Sequence, residues 1–86
     1  MANEQSVLRD QIRAFIQELA STKGITSFTD QESLLENGVI DSLGIFRVVS
    51  FLEDTFRVRV GDMEINGENL KNVETIEQLV LSKQPK

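Results

Sequence analysis

Apolar residues in the first part of the chain recur at helical spacing. Leu8, Ile12, Phe15, Ile16 and Leu19 alternate with Arg9, Arg13, Gln17 and Glu18, a pattern that predicts an amphipathic helix over residues 4–22. Gly24, just after Lys23, supplies its stop. From Ile25 to Ile40 no period is sustained, but Ile25, Phe28, Leu34, Leu35, Val39 and Ile40 are spaced to fasten a long loop onto a core. A loop of that length in so short a chain is commonly functional.

Asp41 then offers an N-cap, and from Ser42 to Thr55 there is no Pro and a single Gly, enough for a helix of about 21 Å. Ile45, Phe46, Val48, Val49, Phe51 and Leu52 leave it little polar surface, so it is expected in the middle of a bundle. The stripe Leu43, Arg47, Ser50 and Asp54 is left to face water. Phe56-Arg57-Val58-Arg59-Val60 alternates with period two and alone reads as a strand. No second strand offers itself as a partner, so an extended connection is expected, with Phe56, Val58 and Val60 turned inward. The polar stretch from Gly61 to Asn72 supports a short helical turn anchored by Met63, Ile65 and Leu70. Thr75 and Gln78 have capping-box spacing, and Ile76, Leu79 and Val80 supply the apolar face of a short last helix. The expected fold is all-α: a small four-helix bundle of three principal helices plus one short helical turn, with a long loop after the first helix. One domain is expected over residues 1–86, frayed at 1–3 and 82–86.

Composition narrows the chemistry. The chain has 86 residues, 40% hydrophobic and 27% charged, as in a single globular domain with a radius of gyration of about 12 Å. A body of that size holds a core but hardly an enclosed active site as well. Nine Lys and Arg against fourteen Asp and Glu give a net charge of −5, which disfavours nucleic acid and anionic membranes as partners. With no Cys there is no thiol nucleophile, and with no His the commonest general base is missing. A non-catalytic protein is therefore expected, and a monomer. The N-terminal residues lack a basic, apolar leader pattern, and no apolar run approaches the roughly 20 residues that span a bilayer. A soluble, cytoplasmic protein without membrane insertion is expected.

Two motifs imitate known sites. Asp62-Met63-Glu64-Ile65-Asn66-Gly67 opens like an EF-hand loop, but the place of the final bidentate Glu is held by Val73, with Glu74 one residue late. Turn chemistry explains the same residues. Ser42 precedes Gly44 as in a nucleophile elbow, but Ile40 stands where the first Gly belongs and no His is available to take the proton. The remaining carboxylates follow no recognisable spacing and read as solvated charge. Ser42 remains, at the first turn of a helix and preceded by a capping acid. The plain reading is ordinary capping. A hydroxyl with nothing to activate it also suits modification by another enzyme, and a phosphodiester at this place meets free backbone N–H groups and the positive end of the helix dipole.

Leu34-Leu35-Glu36-Asn37-Gly38-Val39-Ile40-Asp41-Ser42-Leu43 resembles the phosphopantetheine attachment motif of acyl and peptidyl carrier proteins. The resemblance spans nearly the whole chain, from the first helix through the long loop to the Thr75-Ile76 helix. It implies that a phosphopantetheinyl transferase attaches 4′-phosphopantetheine, taken from coenzyme A, to the Ser42 oxygen, with Asp41 and Leu43 as flanking motif residues. The arm then carries acyl or aminoacyl groups as thioesters between a loading enzyme and a downstream synthase or transferase. Gly44 and Arg47 stand where fatty-acid carriers often present an acid, which points to a specialised lipid, polyketide or peptide pathway. A D-alanyl or peptidyl carrier is the nearest alternative, because Asn37-Gly38-Val39-Ile40-Asp41-Ser42 resembles its motif as well. From another class comes an unmodified helical interaction module that uses Leu43, Arg47 and Ser50.

Overall fold

The amphipathic stripe of the first segment folds as expected: α1 runs Glu4–Thr22 and buries Leu8, Ile12, Ile16 and Ala20. The computed structural model describes residues 4–84; the fraying expected at 1–3, 85 and 86 lies outside them. α1 stops where Gly24 takes φ +75° and the Ile25 N–H returns to the Ala20 carbonyl at 2.9 Å. α2 spans Ser42–Phe56 and ends as Arg57 enters the left-handed region at φ 56°. A three-residue 3-10 turn, Asp62–Glu64, precedes α3 at Val73–Lys83. Among the described residues the only regular elements are thus three helices and one turn; Phe56, expected in an extended connection, instead closes α2, and residues 57–60 link on without strand pairing. No helix is long and apolar enough to cross a membrane among the described residues.

One core binds these elements. Ile12, Ile16, Leu34, Ile40, Val48, Leu52, Leu70, Ile76 and Val80 all belong to it. α1 packs more closely on α3 than on α2. Phe15 of α1 stacks on Phe51 of α2 with ring centroids 4.2 Å apart, and Phe56 meets Phe51 edge-on. The radius of gyration, 12.2 Å, matches the value expected from chain length.

The long loop is fixed rather than free. The Leu34 N–H donates to the Lys71 carbonyl, the Glu74 N–H to the Asp30 carbonyl, and the Asn72 amide to the Gln31 carbonyl. Arg9 grips the buried Glu77 through two nitrogens, at 2.6 and 3.2 Å, and also reaches Asp30, which Arg13 holds as well. Loop, α1 and α3 are therefore tied by charge as well as by Phe28, Leu34, Val39 and Ile40.

Several expectations need correction. α3 starts two residues before Thr75, because Asn72 is the true cap: its side chain accepts from the Thr75 N–H, and the Thr75 hydroxyl accepts from the Asn72 N–H. α3 also continues through Ser82 to Lys83 rather than fraying, with the Ser82 hydroxyl donating to the Leu79 carbonyl and Lys83 paired with Glu64. Met63 does not anchor its turn; it is 91% exposed, leaving Leu70 buried and Ile65 half-buried. Leu35 is exposed while the rest of the loop's large apolar residues are covered. Of the inward residues expected after α2, Val60 is buried and Phe56 and Val58 are half-buried. Phe46 stands 61% exposed, so α2 is covered on fewer sides than its composition implies.

Candidate functional site

The approach to Ser42 is set by a turn and a cap. Gly38 takes φ +84°, a conformation that Gly adopts without a Cβ penalty. Asn37 shapes the same turn by accepting from the Val39 N–H and donating to Glu32. The Ile40 N–H then closes the loop onto the Leu34 carbonyl at 2.9 Å, and Val39 and Ile40 sink into the core. With those two residues anchored, Asp41 and Ser42 are delivered to the surface.

Asp41 is the N-cap of α2. Its Oδ1 accepts from the Gly44 N–H at 2.7 Å, and its Oδ2 accepts from Lys23 Nζ at 2.8 Å. The Lys23 ammonium first, and then the Gly44 N–H, hold the Asp41 carboxyl below the usual carboxylate range. Gly44 is small for an internal reason: a Cβ there would stand 3.2 Å from both Asp41 Oδ1 and Ile40 Cγ2. The close approach comes from the cap and the buried Ile40.

Ser42 is exposed in the first helical turn, and Leu43 beside it is 74% exposed. With the Gly44 N–H taken by Asp41, the N–H groups of Ser42 and Leu43 are first-turn donors without an intrahelical acceptor. No acidic residue lies in that turn. The three motif residues are thus adjacent and accessible. Arg47, Ser50 and Asp54 continue the exposed stripe along α2, as the sequence implies.

Three features escaped the sequence. The Lys23–Asp41 pair joins residues 18 apart across the loop, and the Arg9–Glu77 pair joins residues 68 apart; neither spacing carries a local signal. Glu77, read as solvated, is 3% exposed. The capping role of Asn72 was legible in its spacing to Thr75 and in Val73 standing three before Ile76. Asn66 and Asn69 spend their side-chain amides on turns: Asn66 accepts from the Glu68 and Asn69 N–H groups and donates to the Met63 carbonyl, and Asn69 donates to the Glu64 carbonyl. No protein-family model matches the chain, and no curated protein matches it either.

Proposed function

We propose that this protein is a cytoplasmic carrier whose Ser42 bears a 4′-phosphopantetheine arm. A phosphopantetheinyl transferase would supply the arm from coenzyme A, and the arm's thiol would hold an acyl or aminoacyl group as a thioester for a downstream synthase or transferase. The observation that carries this reading is the placement of Ser42. It is an exposed hydroxyl at the start of α2, with an acid cap on one side, an exposed Leu on the other, and a loop pinned to the core behind it.

The residues present fit such a group. The free first-turn N–H groups and the dipole of α2 favour an anionic phosphodiester on the Ser42 oxygen. Lys23 draws the negative Asp41 carboxylate toward itself, which lowers its repulsion of that phosphate. The helix order supports the resemblance too, with the 3-10 turn at Asp62–Glu64 standing for the shortest helix of a four-helix carrier bundle. The test is incubation of the purified protein with coenzyme A, magnesium and a permissive transferase, followed by intact mass measurement. One arm is gained by the native chain and none by Ser42→Ala; no gain, or a gain that survives Ser42→Ala, refutes the reading.

Exposed Leu43 and Phe46 favour one other reading, an unmodified module that docks a partner through α2. It predicts full biological activity for Ser42→Ala, whereas the carrier loses all of it.

A further inference from the structure

Two depressions adjoin along α2, the nearer one lined by both sequence neighbours of Ser42. A hollow of about 130 Å³ borders Asp41, Leu43 and Gly44, and an open groove of about 680 Å³ runs between α1 and α2 as far as Thr55. Leu19, Thr22 and Arg47 line both, so the two form one track that begins at the α2 N-terminus and follows the helix. Its wall is apolar where Phe15 stacks on Phe51, and Phe46 stands exposed at its rim. Its charge is ordered: the hollow holds the Lys23–Asp41 pair, Arg47 lies in the part shared by both, and Glu18 and Asp54 line only the groove.

Resting on the carrier reading, we infer that this track holds the arm together with a short, uncharged apolar acyl group, outside the helical core. The occupant follows from charge and reach. The arm is anionic only at its root, which the hollow with Lys23 and Arg47 borders, and neutral beyond it, where the carboxylates of Glu18 and Asp54 disfavour a carboxylated cargo. From the serine oxygen to the sulfur the arm has the backbone length of about five extended residues, about 17 Å. Twelve helical rises, from Ser42 to Asp54, span about 18 Å. A straight arm therefore brings the thioester level with the far end of the groove, and a bend that shortens its reach by about one helical turn, about 5 Å, lays the first acyl carbons over Phe51 and Phe15. The alternative, insertion into the core, must part Val48, Leu52, Ile76 and Val80, which are at most 1% exposed. The open track requires no such rearrangement.

The chain has no Cys, so Ser42→Cys provides a unique tether that needs no transferase. An octyl chain on a neutral spacer of the arm's length is attached there by disulfide exchange and compared, in amide NMR spectra of the full chain, with the spacer alone and with a spacer ending in a carboxylate. Octyl-dependent shifts are expected at Phe15, Leu19, Phe46 and Phe51, weaker with the carboxylate and lost in Phe46→Asp, whose exposed site leaves the fold intact. Shifts centred on Leu52, Ile76 and Val80, shifts confined to the neighbours of residue 42, or equal shifts from the carboxylated spacer would overturn the inference. Because attachment is chemical, these outcomes judge the track alone. Failure of enzymatic modification at Ser42 judges the carrier reading.

Discussion

On its core flank α2 presents Val48, Val49 and Leu52, between 0 and 7% exposed, to a shared interior that also holds Ile12, Ile76 and Val80. On its outer flank it presents Leu43 and Phe46, 74% and 61% exposed, the first at the small hollow and the second at the open groove toward α1. Hydrophobic burial explains the first set. It does not explain the second, since a polar residue at either outer position would leave the core untouched. The difference separates two stripes of a single helix: the inner one holds the fold, and the outer one, which burial does not account for, starts next to Ser42 and continues along α2.

The largest expected effect separates the two flanks directly. Leu52→Ala should lower the unfolding free energy by about 2–5 kcal/mol, while Phe46→Ala should stay within about 0.5 kcal/mol of the native chain. Urea titrations with unchanged m-values check this, and equal losses would erase the distinction. Next in size is the ionic tie behind the core flank. Arg9→Met strands the Glu77 carboxylate in a buried site and should cost about 3 kcal/mol, with much of it recovered when Glu77→Met is added. If the double variant is no better than the single, the stranded Glu77 charge is not the source of the loss and the pair is not what ties α1 to α3.

Smaller effects test the junction where the two flanks meet. Ala at an open helix position gains about 1 kcal/mol over Gly; Gly44→Ala should forfeit that gain, because its Cβ presses on Asp41 and Ile40. A full gain in the denaturation midpoint would show that the contact yields freely. The smallest effect is one of pH. The Asp41 carboxyl titrates below its ordinary range because Lys23 and the Gly44 N–H favour its charged form. Its contribution is therefore complete above the ordinary carboxylate range and is lost as pH falls through the lowered folded value. Asp41→Asn should flatten that part of the acid limb, and an unchanged acid limb would mean that the cap contributes nothing through its charge.

Much of this fold was legible in the sequence. Leu8, Ile12 and Ile16 at helical spacing marked α1, and Asp41 marked the start of α2 because capping is a local rule that needs no tertiary knowledge. The same rule puts Ser42 and Leu43 in the exposed first turn of α2, while their reading as an attachment site rests on the motif resemblance and not on capping. Phe46 was misplaced because periodicity counts apolar residues but cannot tell how many neighbours a helix will have; with only α1 packed loosely on that side, one large side chain stays in water. Met63 failed as an anchor because a three-residue turn has no face to direct inward. The Lys23–Asp41 and Arg9–Glu77 pairs were invisible, since each is created by the fold and not by spacing. The Asn72 cap is recoverable from local rules, since Asn72 stands three before Thr75 just as Thr75 stands three before Gln78.

In the proposed function the Ser42 oxygen carries an arm whose thiol holds cargo. The most direct test is mass spectrometry of the protein isolated from its own cells, with thioesters preserved and the Ser42 peptide sequenced. The account predicts that peptide bearing a phosphopantetheine arm, with part of the population acylated or aminoacylated on its sulfur. A peptide always bare at Ser42, from cells in which the transferase is active on other proteins, would contradict it.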